Sequence, residues 1–265
     1  MDIAGLFTLK GRTALVTGGS RGIGRMIAAG FLAAGARVYV TGRKARACEA
    51  AAAELGPGCL PLPADIATVE GCEYLARTLA GSESGLDILV NNAGAAWGAE
   101  FDDFPEHGWD KVMDINVKSP FFLTQQLLPL LLSAARRDGG PAKVINIASV
   151  DGQRVSPWET YSYQASKAAL IHLTRRMAAR LAPEGIHVTA LAPGAFGTDM
   201  NQAARDHADK VSAAIPAGRI GRPEDIAAAA VYLASRAGDY VVGSTLTVDG
   251  GLVHASFGPG IDGEG

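Results

Sequence analysis

The chain has 265 residues, a net charge of −3, three cysteines and 48% apolar residues. That length suits one large α/β domain, which buries roughly three-quarters of its unfolded surface. Scattered charges without a basic stripe argue against a nucleic-acid or anionic-membrane surface. The cysteines Cys48, Cys59 and Cys72 lack CxxC spacing, so a disulfide framework or metal site is not expected. No apolar run approaches the roughly 20 residues that span a bilayer, and no signal-peptide layout follows Asp2, so a cytoplasmic location is expected.

In chain order, short β-like runs alternate with Ala-rich helical stretches. Predicted strands cover 13–17, 37–41, 59–63, 86–90, 143–148, 187–191 and 245–248. Several are near-continuous apolar runs, as in strands buried on both faces of a parallel sheet. Predicted helices include 22–34 and 43–55, and two long ones at about 109–135 and 161–182, the latter ending before Pro183. This alternation implies right-handed crossovers. The fold expected is α/β: a single-domain, doubly wound (Rossmann) parallel sheet of about seven strands with helices on both faces, spanning 1–265. The less regular stretch 195–218 is expected to be a substrate loop, and the Gly-rich tail from about 258 to fray.

The first strand runs into Thr17-Gly18-Gly19-Ser20-Arg21-Gly22-Ile23-Gly24, within which a helix begins. Glycines there let a pyrophosphate approach, and a helix N-terminus offers free N–H groups to it. The spacing is GxxxGxG rather than GxGxxG. The second strand ends in Thr41-Gly42-Arg43-Lys44, without the acidic residue that accepts ribose hydroxyls in NAD sites. Arg43, with Arg21, suits a 2′-phosphate, so NADP(H) is favoured over NAD(H).

Tyr163 and Lys167 are four residues apart on a predicted helix and therefore share a face. A nearby ammonium is expected to lower the tyrosine pKa, making Tyr163 a general acid for ketone reduction and a base in reverse. Ser149 follows the fifth predicted strand, where open α/β sheets present ligand sites. Asn91-Asn92-Ala93-Gly94 ends the fourth strand in the same way, and Asn116 interrupts an apolar helical run, where an unpaired amide is costly. Tyr161, two residues before Tyr163, should face elsewhere.

In order and spacing these residues resemble the short-chain dehydrogenase/reductase family over about residues 9–252, including Pro193-Gly194. The resemblance implies a catalytic tetrad of Asn116, Ser149, Tyr163 and Lys167. Ser149 would orient the substrate oxygen, Lys167 would bind the nicotinamide ribose, and the main chain at Asn116 would hold a water relaying protons. It implies cofactor contacts at Gly18, Ser20, Arg21, Gly22, Ile23, Gly24 and Arg43, at Asp65 and Ile66 by the adenine, and at Asn92, Ala93 and Gly94 near its ribose. Tyr163, Lys167, Pro193, Gly194, Phe196 and Thr198 would complete the set. A homotetramer is also implied.

The substrate side should draw on 95–98, 151–160 and 195–215, with Trp97, Val155, Trp158, Phe196 and Met200 as an apolar wall and Arg154, Arg205 and Lys210 as cations. Within the family the chain looks most like 3-oxoacyl-[acyl-carrier-protein] reductases of the rhamnolipid-biosynthesis type. Glu184 stands where carrier-protein reductases tend to have an Arg, although Arg136 and Arg137 could serve an acyl-carrier protein. The leading expectation is an NADPH-dependent reductase of a small-molecule ketone, a 3-oxoacyl thioester first. A gluconate-type sugar-acid or polyol dehydrogenase and, more distantly, a non-catalytic NADP(H)-sensing module remain open.

Overall fold

A computed structural model describes residues 2–137 and 139–256. The tail expected to fray lies outside them. Seven strands form one sheet: β1 Thr13–Thr17, β2 Arg37–Thr41, β3 Cys59–Pro61, β4 Ile88–Asn91, β5 Ala142–Ile147, β6 Ile186–Pro193 and β7 Thr245–Val248. Their order is β3-β2-β1-β4-β5-β6-β7, and every pairing is parallel. The expected doubly wound sheet is therefore the fold. The order reverses between β1 and β4, and the crevice at their carboxyl ends is where such sheets take ligands.

Alternation along the strands divides the core. Leu15 of β1, Leu89 of β4 and Val144 of β5 face one layer, with helices α3 Val69–Ala80, α5 Ser119–Gln126, α6 Leu128–Ala135 and α7 Tyr161–Leu181. Val16, Val90 and Ile145 face the other, with α1 Gly22–Ala33, α2 Ala45–Leu55 and α10 Pro223–Ala234. Fully burying a large apolar side chain stabilises the fold by roughly 1.5–3 kcal/mol, and both layers contain many, among them Leu123, Leu127, Ile27 and Phe31. Helix α3 was not anticipated; Thr68 caps it by accepting from the Gly71 N–H.

The single long helix expected over 109–135 is instead three. Helix α4 Glu106–Met113 passes into a π-helical turn, Asp114–Lys118, then into α5 and α6. Proline explains the breaks. Pro129 cannot donate to the turn before it, and α6 starts afresh there. Pro120 likewise has no N–H to offer the carbonyl of Asn116 four residues back. The stretch 195–218 carries two one-turn helices, α8 Gln202–Asp206 and α9 Ala208–Ser212. Among the described residues no helix is long and apolar enough to cross a membrane. All three cysteines are buried free thiols.

Candidate active site

At the carboxyl end of β1 the backbone turns through Gly18 (φ 63°) and enters α1 at Gly22 (φ 53°), both left-handed conformations that favour glycine. A Cβ on Gly18 would lie 2.9 Å from the Asn92 side-chain nitrogen, and one on Gly24 would lie 2.4 Å from the same atom. Asn92 is this close because it ties the turn down, donating to the carbonyls of Thr17 (2.8 Å) and Gly18 (3.3 Å). Thr17 Oγ1 in return accepts from the N–H groups of Asn92 and Ala93, both at 2.9 Å. Helix α1 has neither a side-chain cap nor an acid in its first turn. Its leading N–H groups and the positive end of its dipole are thus left for an anion.

This turn opens on a cavity of about 1710 Å³. The volume exceeds the roughly 300–1,000 Å³ of an ordinary ligand pocket, leaving room for a dinucleotide and a second ligand together. Gly18, Ser20, Arg21, Gly22, Ile23, Arg43, Asp65, Ile66, Asn92, Ala93, Gly94, Pro193, Gly194, Phe196 and Thr198 all line it, as do Ser149, Tyr163 and Lys167. Two expected site residues do not. Gly24 packs beneath the turn, where a side chain would strike Asn92 and the Gly18 carbonyl. Asn116 is buried. Its Oδ1 accepts from Ala95 N–H, and its Nδ2 donates to Ala95 O and Ser166 Oγ, each at 2.9 Å. The side chain thus fastens the segment after β4 to α7 rather than facing a ligand. Asn92 lines the cavity, but its amide donor is spent on the turn and not free for a ribose.

At the end of β2, Arg43 is exposed at the cavity rim and carries no ion pair among the described residues. Arg21 reaches across to Asp199, 3.4 Å away. Both cations line the cavity.

The reacting end is built on β5 and α7. Ser149 follows β5, and its hydroxyl oxygen accepts from the Asp151 N–H at 3.1 Å. Tyr163 lies in the first turn of α7. Lys167, one turn on, is buried and donates to the Ile147 carbonyl at 2.7 Å. Its nitrogen is 5.5 Å from the Tyr163 ring centroid. Burial pulls the Lys167 pKa down to about 8. Burial also pushes the Tyr163 phenol up to about 12, with the Asp151 charge adding to the rise and a hydrogen bond with Ser149 opposing it. Burial, not the Lys167 ammonium, sets the direction of the Tyr163 shift. That shift favours the protonated phenol, the form that can give a proton.

Three supporting residues were not anticipated. Ser166 donates to the Tyr163 carbonyl at 2.7 Å and accepts from Asn116. Gln164 pins the loop before α7, donating to Trp158 O and accepting from Ser156 N–H. Asp151 lines the cavity beside Ser149. Small polar residues beside a catalytic tyrosine carry no sequence signal of their own, but an acid two residues past a strand-end serine could have been weighed.

Tyr161 does face away: its hydroxyl donates to Glu159 at 3.0 Å, and its ring packs edge-on against Phe101 and Phe104. Of the expected substrate wall, Trp158, Met200, Arg154 and Arg205 line the cavity. The Phe196 side chain does not form that wall. It is 2% exposed and packs in the core, so close to Gly221 that a Cβ there would lie 2.3 Å from the ring. Trp97 packs on Gly108, His107 and Lys111 instead of lining the cavity. Val155 (92% exposed) and Lys210 also stand outside the lining.

Known proteins share this arrangement. A family model described as enoyl-(acyl carrier protein) reductase matches residues 18–253. The rhamnolipids biosynthesis 3-oxoacyl-[acyl-carrier-protein] reductase of Pseudomonas aeruginosa is 48% identical over 251 residues, covering 93% of this chain and 98% of that protein. The solved Pseudomonas aeruginosa RhlG/NADP active-site complex superposes with a TM-score of 0.90 at 47% identity, covering 93% of this chain and 98% of that one. The 2-dehydro-3-deoxy-D-gluconate 5-dehydrogenase of Dickeya dadantii is 37% identical over 257 residues, covering 94% and 98%.

Proposed function

The chain belongs to the short-chain dehydrogenase/reductase family, and from that premise we propose that it is an NADPH-dependent reductase of 3-oxoacyl thioesters with Tyr163 as its general acid. The observation that carries this reading is a single cavity joining the uncapped start of α1 to Ser149, Tyr163 and Lys167. The similar protein from Pseudomonas aeruginosa is named as a 3-oxoacyl reductase, and its solved complex holds NADP.

The donors present fit that cofactor. The turn at Gly18 and Gly22 and the first N–H groups of α1 suit its pyrophosphate, Asp65 and Ile66 its adenine, and Arg43 with Arg21 its 2′-phosphate. Pro193, Gly194 and Thr198 suit the carboxamide and phosphate, and Lys167 the nicotinamide ribose. When bound, the nicotinamide supplies the hydride that reaches the carbonyl carbon. The protein's own work is at the oxygen. Ser149 donates a hydrogen bond to the carbonyl, and Tyr163 delivers the proton that completes the alcohol. Lys167 and the Asn116 main chain lie on the route by which that proton is replaced. The segment 195–218 closes the substrate side as part of the one domain.

Docking of an acyl-carrier protein is part of this reading, and local charges bear on it. Glu184 pairs with Arg180, which offsets its sign, while Arg137 is held by Asp87, leaving Arg136 as the freer cation. A cytoplasmic homotetramer is the expected assembly, to be checked by light scattering. A sugar-acid substrate is the second reading, favoured by the similarity to the Dickeya dadantii dehydrogenase and by Arg154 in the lining.

NADPH consumption across 3-oxoacyl thioesters and keto-sugar acids separates the two. Tyr163→Phe should lower turnover roughly 10²-fold or more while NADPH binding persists. Unchanged turnover sinks the assignment, and binding without turnover of any ketone would leave only a sensor.

A further inference from the structure

The reaction chamber holds an anionic side chain that ketone reduction does not call for. Asp151 lies on the one-turn 3₁₀ segment Val150–Gly152 that Ser149 begins. Its N–H fixes the Ser149 hydroxyl at 3.1 Å. The turn is clamped from behind: a Cβ on Gly152 would lie 2.6 Å from the Lys167 carbonyl carbon. Asp151 is thus held between Ser149 and α7 and lines the cavity with Ser149, Tyr163 and Lys167.

We propose that Asp151 is a specificity-determining residue, whose carboxylate admits neutral ketones and repels substrates with an anionic group beside the reacting carbonyl. This rests on the ketone-reductase reading above. Its charge is only partly offset. Asp151 has no ion pair within 4 Å among the described residues. Arg154 and Ser156 on its own segment stabilise the carboxylate, yet burial still makes it a weaker acid than usual. Three of the other charged groups along the lining have partners of their own. Lys167 faces the Ile147 carbonyl, Arg205 pairs with Asp199 and Asp206, and Lys111 sits over the Trp97 ring. Two like charges about 6 Å apart, at an effective dielectric near 20, shift an equilibrium by roughly a hundredfold. A 3-oxoacyl thioester is neutral at that position, whereas the corresponding free 3-oxo acid carries a carboxylate there. The same charge disfavours the Tyr163 phenolate, which suits a site that gives a proton to a ketone.

The test compares ethyl 3-oxobutanoate with 3-oxobutanoate, one chain as neutral ester and as carboxylate, under NADPH. Wild type should prefer the ester by about a hundredfold in kcat/KM. Asp151→Asn should narrow that preference about tenfold or more, with the acid gaining. It should also move the alkaline limb of the reduction profile to lower pH, because the phenolate then forms more easily. An unchanged ratio overturns the proposal. If the variant does not fold, wild type alone decides: the ester preference should shrink as the pH falls and Asp151 takes up a proton, and a flat ratio overturns the proposal. Turnover of neither the ester nor any 3-oxoacyl thioester by wild type would instead refute the reductase reading itself.

Discussion

Two buried lysines flank strand β5, one at each end, and the protein treats them differently. Lys143, at the amino end, lies 2.8 Å from the Asp239 carboxylate. Beside it Asp87 gathers Arg12, Arg137 and the Thr13 N–H, so each cation named on that edge has a carboxylate beside it. Lys167, at the carboxyl end, has a carbonyl at 2.7 Å and, among the described residues, no carboxylate partner. Burial lowers the pKa of both, but only Lys143 has a counter-ion pulling it back. One edge of the sheet is electrostatically closed and serves the fold. The other lacks such matching: among the described residues neither Lys167 nor Arg43 has a counter-ion.

Replacing Lys167 by Met tests that contrast most severely. Turnover should fall roughly 10²-fold or more, while the folded protein gains about 1–2 kcal/mol at pH 7 from losing an unpaired buried charge. The pH dependence has a definite sign. With a folded pKa of about 8 against 10.5, the unfolded chain holds more protons between those values. Wild-type stability therefore rises with pH across that window. The advantage of Lys167→Met should shrink over the same range, as read by urea denaturation at pH 7 and pH 10. A variant that is less stable at pH 7 would show that Lys167 is not an electrostatic cost to the fold.

A smaller effect is expected at the rim. Arg43 is exposed, so Arg43→Ala should leave stability within about 0.5 kcal/mol. The KM for NADPH should rise about tenfold or more, as for a lost charge-assisted hydrogen bond, with that for NADH nearly unchanged. Equal changes for both cofactors would place the 2′-phosphate elsewhere.

The two ends of the sheet also differed in how far they could be read in advance. Strands β1, β2 and β7 match their expected bounds because each is a short β-rich run at the edge of a turn. Tyr163, Lys167 and Ser149 were legible because helix spacing and a strand end fix them locally. What escaped depends on tertiary contact. The upward push that burial gives the Tyr163 phenol could not be read from the lysine beside it. Phe196 was read as substrate wall, but only the packing on Gly221 shows where its ring goes. The paired charges of the amino edge are distant in sequence, Lys143 with Asp239 and Arg12 with Asp87, so no spacing rule finds them. The two prolines that break the predicted 109–135 helix were visible, yet the strongly apolar run masked them.

For Lys143, where no change in turnover is expected, the outcome turns on which partner is left behind. The ammonium is 4% exposed and Asp239 is 36% exposed, and their contact is one of charge rather than an aligned hydrogen bond. Lys143→Met removes the buried member and leaves a carboxylate that water can reach. Stability at pH 7 should stay within about 1 kcal/mol of wild type, and turnover should not change. Asp239→Asn does the reverse: it strands the ammonium under the sheet beside Arg12 and should cost about 3 kcal/mol. That cost should fade at high pH, because a buried lysine whose pKa is lowered sheds its proton before the unfolded chain does. Were both variants equally mild, the pair would contribute little to the fold, and the closed edge of the sheet would owe its order to Asp87 and its two arginines.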